Sequence, residues 1–499
     1  MQKGVLLRPM DILKQCTFTA LKKNKNIVLE NVLVDDYAAE GKSLAKLNGK
    51  VVFIENVVPG DIVDVRLSKN KKDWAEGYPI NFHSFSKERV KPFCQHFGAC
   101  GGCQWQMLPY QKQLQYKQKQ VFDNLTRIGK IPLPEMLPIV GAKENKFYRN
   151  KLEYTFSTKE FVPPGSFNRE NKQSSFQNVV GFHAKGFFDK VVDIQKCWLQ
   201  NDLTNQIRNA IRGFAFENHF TFYDIRNHKG LLRTMQVRIC ETGEVMVNIV
   251  FGEKNELQQN LLLNFIQENF PQITTLLYTI NLKMNDSMHD LEPNIFFGKG
   301  YVVEKLFTGT GDENFLFKIG PKSFFQTNTK QAENLYRITR EFAELNSTQT
   351  VYDLYCGTGS IGIFCSGGAK KIIGVDIIDA AIRDAKENAA LNVIDHSFFI
   401  SGDVIDICSE NFFTQHGKPD VIITDPPRAG MHEKLVKKIL EIEAPLLVYV
   451  SCNPATQARD LALLDEKYQV TKVQPVDMFP HTQHIENVVQ AKLKQKTNE

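Results

Sequence analysis

Cys452 stands just past a short apolar run, residues 446–450 (LLVYV), and is followed by Asn453 and Pro454. A run of that length with β-branched members reads as a buried parallel strand, and Pro454 cannot extend it. In open α/β sheets, ligands lie just outside the carboxyl ends of the strands. A thiol at such an end is placed as a nucleophile, whereas a lone cysteine elsewhere is most often a small buried hydrophobe. Three neighbouring strand ends carry groups that bind or react. Residues 350–355 lead into Cys356-Gly357-Thr358-Gly359-Ser360-Ile361-Gly362, residues 371–375 end at Asp376, and residues 421–424 end at Asp425-Pro426-Pro427-Arg428. Gly357 and Gly359 let backbone approach a ligand, and Asp376 suits two ribose hydroxyls. The glycine loop alone serves nicotinamide and adenosyl-methionine enzymes equally.

An acid-Pro-Pro turn at the fourth strand favours methyl transfer over hydride transfer. Amino-methylating enzymes commonly carry Asn-Pro-Pro with an aromatic next, and here Asp425 and Arg428 occupy those places. A cysteine one strand further on points to carbon methylation of a pyrimidine. Uracil C5 is too weak a nucleophile to attack a methyl sulfonium directly, but a thiolate added at C6 turns the ring into an enolate whose C5 can attack. The C5 proton must then leave to a general base. Glu486 opens a final apolar run and is the candidate, although glutamates are usually exposed surface residues. His481 and His484 read as loop-positioning or RNA-facing residues.

These groups need a scaffold of several domains. The chain has 499 residues, too many for one ordinary core, and its 42% hydrophobic and 23% charged content is that of a globular protein. No apolar run approaches a membrane span of about 18 residues. The N-terminal apolar stretch breaks too early for a signal peptide, so a cytoplasmic location is expected. The net charge is +5, and residues 1–91 carry 16 Lys and Arg against 11 Asp and Glu, which suggests a polyanionic partner there. Residues 26–86 show short strands cut by turns, including runs at 51–54 and 62–67 around Pro59-Gly60-Asp61, the pattern of a small antiparallel barrel. Lys69, Lys71, Lys72 and Trp74 would suit single-stranded RNA.

Cys94, Cys100 and Cys103, with Gly98, Gly101 and Gly102 between them, form a compact thiol triplet. The glycines permit the tight backbone that converging thiolates need. Cys197 is the best remote fourth ligand, and iron-sulfur and zinc are both compatible with four thiolates. Residues 111–127 read as a polar, basic helix ended by Gly129. Residues 145–317 are strand-rich, with a hairpin across Glu241-Thr242-Gly243 and an exposed insertion at 162–178.

Together these motifs resemble the RNA 5-methyluridine methyltransferase family, in particular its 23S ribosomal-RNA branch with a TRAM domain and an iron-sulfur cluster. The likeness extends over nearly the whole chain after the first twenty or so residues. It implies an RNA-binding TRAM barrel at EGKSLAKLNGKVVFIENVVPGDIV and a [4Fe-4S] cluster on Cys94, Cys100, Cys103 and Cys197. Further implied are S-adenosyl-L-methionine contacts at Gln326 (within Phe324-Phe325-Gln326-Thr327-Asn328), Tyr355, Asp376 and Asp425, with Cys452 as nucleophile and Glu486 as proton acceptor. In the family, the helix near 109–130 packs on the catalytic domain. Asp376 replaces a common glutamate and Ile485 a common valine.

The expected architecture is α/β and multidomain: a tail at 1–24, an OB-like TRAM barrel at 25–90, a strand-rich α+β central domain at 91–322 and a Rossmann-like methyltransferase domain at 323–499. The expected activity is uracil-C5 methylation of RNA, 23S ribosomal RNA first, by a monomer with no membrane association. Transfer-RNA 5-methyluridine and RNA 5-methylcytosine formation are the close alternatives; the latter commonly needs a second cysteine where Asp425 stands. A noncatalytic RNA-binding iron-sulfur protein leaves Cys452 and Glu486 without a role. A nicotinamide oxidoreductase leaves the barrel and the Asp425-Pro426-Pro427-Arg428 turn unexplained.

Overall fold

The computed structural model describes residues 27–162, 178–311, 313–407 and 409–495. The expected tail at 1–24 and the interior of the insertion at 162–178 lie outside the described residues, among which all elements below are counted. The chain divides into two compact units. The first takes the chain up to Phe93 together with Cys103–Tyr116 and His481–Gln483; the second takes Cys94–Gly102, Lys117–Pro480 and the chain from His484.

The first unit is built on β1 (Val28–Leu33), β2 (Asp36–Tyr37), β3 (Ser43–Leu47), β4 (Lys50–Ile54), β5 (Ile62–Asn70) and β6 (Trp74–Ser84), in sheet order β1-β5-β6-β4-β3-β2. Strand alternation places Val63, Val65 and Leu67 of β5 inside with Val52, Ile54 and Ala75. Gly77 is required where β6 crosses β5, because a Cβ there would lie 2.6 Å from the Arg66 carbonyl oxygen. The Pro59-Gly60-Asp61 turn is locked by Asp61, whose buried carboxylate accepts from the Val58 and Ser86 amides and from Arg89 Nη2 at 2.6 Å. Trp105 Nε1 donates to the Gly41 carbonyl at 3.3 Å, and Tyr37 packs against Trp105 and Tyr116.

The second unit carries two large sheets. In the central one, β7 (Lys151–Ser157), β8 (Val179–His183), β9 (Val191–Asp193), β10 (Leu232–Ile239), β11 (Val245–Phe251), β12 (Thr275–Ile280) and β13 (Asn294–Phe297) run in the order β13-β12-β11-β10-β7-β8-β9. The expected hairpin is formed between β10 and β11, with Gly243 at φ 85°. Residues of Asp202–Glu217 and Glu256–Asn269, two helices not anticipated from the sequence, share its core. A separate pair, β14 (Val302–Phe307) and β15 (Asn314–Ile319), follows.

The last sheet comprises β16 (Thr350–Leu354), β17 (Lys371–Asp376), β18 (Ser397–Ser401), β19 (Val421–Thr424), β20 (Leu446–Ser451), β21 (Tyr468–Val476) and β22 (Glu486–Leu493). Its order is β18-β17-β16-β19-β20-β22-β21, with β16 to β20 parallel and β22 antiparallel to both neighbours. Alternate residues feed two separate cores: Val351, Ile372, Ile423 and Val448 one, Tyr352, Ile373, Ile422 and Leu447 the other. Burial on both faces is why these strands read as unbroken apolar runs. The helix of residues 111–127 is observed as Tyr110–Asn124, continued by a π turn at Leu125–Gly129 and closed by Lys130 at φ 52°. From this segment Val121 and Leu125 join the second core, and Lys117 Nζ lies 2.6 Å from Asp477 Oδ1 with both side chains buried. Its later half therefore packs on the last sheet despite its early place in the chain.

Candidate active site

The parallel strands end side by side, and each turn is fastened by hydrogen bonds. After β16, Tyr355, Gly357 and Gly359 all have left-handed backbone, at φ 62°, 53° and 77°. A Cβ at Gly359 would lie 2.9 Å from the Phe399 ring, so only glycine fits that close crossing. The Gly357 amide donates to Asp376 Oδ2 at 2.9 Å, and the Ile378 amide donates to Asp376 Oδ1 at 2.9 Å. Asp376 thus holds both its own turn and the glycine loop. Beneath them Asp353, fully buried in β16, accepts from the Gly362 amide at 2.9 Å; burial, with Asp425 and Asp376 nearby, pushes its carboxyl up to about 7. Asp353 is the one charged residue of β16, and it received no role from the sequence alone.

Cys452 and Glu486 come together through β20 and β22. Ser451 pairs with Asn487, so the register carried one residue outward sets Cys452 across from Glu486. Cys452 is half-buried, and burial followed by the negative potential of Glu486 and Asp425 pushes its thiol up to about 12, against a lowering by Arg428. Burial and Asp425 hold the Glu486 carboxyl well above the usual range, with Arg428 again opposing. Burial pushes Asp425 up to about 7. Two carboxyls and a thiol therefore share one low-dielectric site beside one guanidinium. The Arg428 carbonyl accepts from Asn453 Nδ2 at 3.0 Å and Thr456 Oγ1 at 3.2 Å, tying the Asp425-Pro426-Pro427-Arg428 turn to the Cys452 turn.

Gln326 is buried, and its backbone is set from outside its own segment: Asn150 Nδ2 donates to the Gln326 carbonyl at 3.0 Å. Asn328 caps the following helix, Thr329–Phe342, and Nδ2 of the same residue donates to the Met478 carbonyl at 2.8 Å. A glutamine between a buried phenylalanine and an N-capping asparagine was the available sequence signal. His484 sits among cations: burial, then Arg428, Lys117 and Arg149, push its ring down to about 4, so it is neutral at pH 7. His481 belongs to the first unit, where its carbonyl accepts from the Gln104 and Trp105 amides and its Nδ1 lies 3.1 Å from Gln113 Nε2. That is a loop-positioning arrangement.

All four expected ligand cysteines are partly buried. Cys94, Cys100 and Cys197 lie in the second unit, and Cys103 is assigned to the first. Burial raises Cys100 to about 12, with smaller contributions from Cys197 and Cys94, which places those three thiols within electrostatic reach of one another. The Gly102 amide donates to Cys100 Sγ at 3.4 Å, a bond suited to a thiolate. The donor chemistry fits a four-thiolate centre. Among the described residues, no group of three or more His, Cys, Asp or Glu side chains is drawn together as a metal site. No described helix is long and apolar enough to cross a membrane.

A parallel sheet with a glycine turn, an acid at the next strand end and an acid-Pro-Pro turn beyond it defines a Rossmann-like methyltransferase, here with an N-terminal β-barrel. Comparison with known proteins narrows the class. Residues 261–494 match the family described as tRNA (Uracil-5-)-methyltransferase, and residues 30–80 match the TRAM domain. An uncharacterized RNA methyltransferase of Bacteroides thetaiotaomicron is 52% identical over 92% of this chain and 100% of its own. Another from Porphyromonas gingivalis is 46% identical over 91% of this chain and 98% of its own. The crystal structure of Pyrococcus abyssi tRNA (uracil-54, C5)-methyltransferase in complex with S-adenosyl-L-homocysteine superposes with a TM-score of 0.70 at 27% identity, covering 92% of this chain and 100% of that one. The chain belongs to the RNA uracil-5-methyltransferase family and carries a TRAM domain.

Proposed function

We propose that this protein transfers a methyl group from S-adenosyl-L-methionine to uracil C5 in RNA, with 23S ribosomal RNA as substrate, Cys452 as nucleophile and Glu486 as proton acceptor. The observation that carries the reading is the convergence of Cys452, Glu486, Asp425 and Arg428 at adjacent strand ends. Gln326, Tyr355, Gly357, Gly359, Asp376 and Asp425 are the residues that would hold the methyl donor, which supplies an electrophilic methyl sulfonium. A flipped uridine meets Cys452 at these strand ends, since a stacked base hides C5 and C6. Addition requires Cys452 as thiolate and Glu486 as carboxylate, their protons having passed to solvent; as the Cys452 sulfur bonds to C6, the ring π electrons move to give an enolate. C5 then forms the new carbon-carbon bond and the sulfonium leaves as a neutral thioether. Glu486 takes the C5 proton, and the electrons of that C–H bond restore the C5–C6 double bond as the Cys452 thiolate departs. Once ionised, a carboxylate whose proton affinity is held well above the usual range is a stronger base than an exposed one, which suits proton acceptance from carbon.

Cys94, Cys100, Cys103 and Cys197 are assigned as ligands of a [4Fe-4S] cluster, supported by the amide-to-sulfur bond at Cys100 and by the electrostatic influence of Cys197 and Cys94 on that thiol. Its role is structural, because methyl transfer needs no electron. Brown colour with thiolate-to-iron absorbance after anaerobic purification separates this centre from zinc. A cytoplasmic monomer fits this role.

The deciding experiment is mapping of 5-methyluridine by nucleoside and fragment mass spectrometry in ribosomal and transfer RNA, with and without the gene. Loss at 23S positions is the expected result. Loss only in transfer RNA keeps the chemistry and replaces the substrate; no change in either overturns the reading.

A further inference from the structure

The turn between β8 and β9 exposes two adjacent phenylalanines beside cations, far along the chain from the strand ends just described. Phe187 is 43% exposed and Phe188 67% exposed. Lys190 Nζ lies 5.1 Å from the Phe187 ring centre and Arg226 Cζ lies 5.8 Å from that of Phe188. Gly186 makes the turn at φ 80° and the Phe187-to-Ala184 and Ala184-to-Lys190 backbone bonds close it; the Phe187 ring also packs on Phe161 at 5.4 Å between centres. The turn is held from below. Cys100 bridges Ala184, the Gly101 amide donates to the His183 carbonyl, and the Lys185 amide donates to the Ala99 carbonyl. Asp189, buried in the same turn, accepts from Arg226 Nε at 2.7 Å and so fixes the guanidinium next to Phe188.

Exposed phenyl rings flanked by Lys and Arg are the elements that bind unpaired nucleic acid, with bases stacking on the rings and phosphates meeting the cations. An apolar protein partner would cover the rings but desolvate Lys190 without supplying a negative charge to it. A phosphate backbone supplies that charge.

We propose that the turn at residues 184–190 is a second RNA-contact surface, in which Phe187 and Phe188 stack unpaired bases other than the methylated uridine while Lys190 and Arg226 meet the adjoining phosphates. The inference rests on RNA being the substrate. It assigns the Cys94–Cys100 segment a mechanical part, since bonds from Ala99, Cys100 and Gly101 set the turn that carries the rings.

The test uses the full chain and three variants: Phe188→Ala and Phe188→Trp at the exposed ring, and Lys190→Ala at the half-buried cation. Anisotropy of a fluorescein-labelled oligouridylate reports binding, and methyl transfer to total RNA from cells lacking the gene reports kcat and KM. Phe188→Ala is expected to weaken binding about tenfold, and Phe188→Trp to retain it. Lys190→Ala is expected to weaken binding and lower the salt slope by about 1. For both weakened variants KM for RNA should rise in step while kcat at saturation stays unchanged. Wild-type affinity and KM in both Phe188→Ala and Lys190→Ala would overturn the surface and leave the methyltransferase reading standing. A wild-type protein that binds oligouridylate more tightly than Phe188→Ala yet methylates no RNA would uphold the surface and overturn the proposed activity.

Discussion

Cys452 and Glu486 are brought opposite one another by neighbouring antiparallel strands, one residue beyond the Ser451 and Asn487 pair. Glu486 raises the proton affinity of Cys452: the thiol is pushed up to about 12 by burial, then by Glu486 and Asp425. A thiol that holds its proton this tightly carries no uncompensated buried charge before substrate arrives.

Replacing Cys452 by alanine should abolish methyl transfer while leaving the affinity for S-adenosyl-L-homocysteine, measured by titration calorimetry, within about twofold, because Asp376 and the glycine loop are untouched. Normal turnover in this variant would move the nucleophile elsewhere.

With Glu486→Gln the thiolate can add and the methyl group can transfer, but the C5 proton has no acceptor. A covalent protein-RNA adduct that survives denaturing electrophoresis should accumulate. Full turnover without trapped adduct would point to another base.

Because the Cys452 thiol is held far above its ordinary value, its alkylation by iodoacetamide, followed on the Cys452 peptide by mass spectrometry, should be slow at pH 7 and climb steadily to pH 10. Asp425→Asn removes a negative neighbour, so it should lower the thiol pKa and speed alkylation severalfold at pH 9. A rate independent of pH would contradict this picture.

His484 is pushed down to about 4 in the folded protein by burial and by Arg428, Lys117 and Arg149. Between roughly pH 6.5 and 4 the unfolded chain binds a proton that the folded chain does not, so this group contributes a loss of stability as pH falls through that window and none above it. Denaturant unfolding of wild type and His484→Gln should converge by about 1–2 kcal/mol between pH 7 and pH 4.5, with the variant the less pH-sensitive. Parallel curves would show that the ring is not buried neutral.

The Lys117 and Asp477 pair is fully buried at 2.6 Å. Lys117→Ala should cost about 3–5 kcal/mol by leaving the buried Asp477 carboxylate without its cation, whereas Lys117→Met with Asp477→Leu should recover most of that. Equal losses in single and double variants would make the effect one of packing alone.

The sequence by itself determined the strand-end chemistry. A parallel strand covered on both faces must be apolar along its length, so its end is visible where polar residues begin, and Gly357, Asp376, Asp425 and Cys452 could be read there one after another. It also determined the cysteine triplet, because Gly98, Gly101 and Gly102 act locally. What only the tertiary structure decided is which of these groups meet. β22 enters antiparallel between β20 and β21, and nothing local to residues 484–493 specifies that neighbour, yet this choice alone brings Glu486 to Cys452. Gln326 owes its backbone position to Asn150, and the later half of the helix Tyr110–Asn124 reaches the last sheet through Lys117, each a contact across well over a hundred residues. The hairpin that brings Cys197 within reach of Cys94 and Cys100 is likewise a product of sheet pairing. Periodicity reports what one strand or helix buries; the partner it buries against is set by packing of the whole chain.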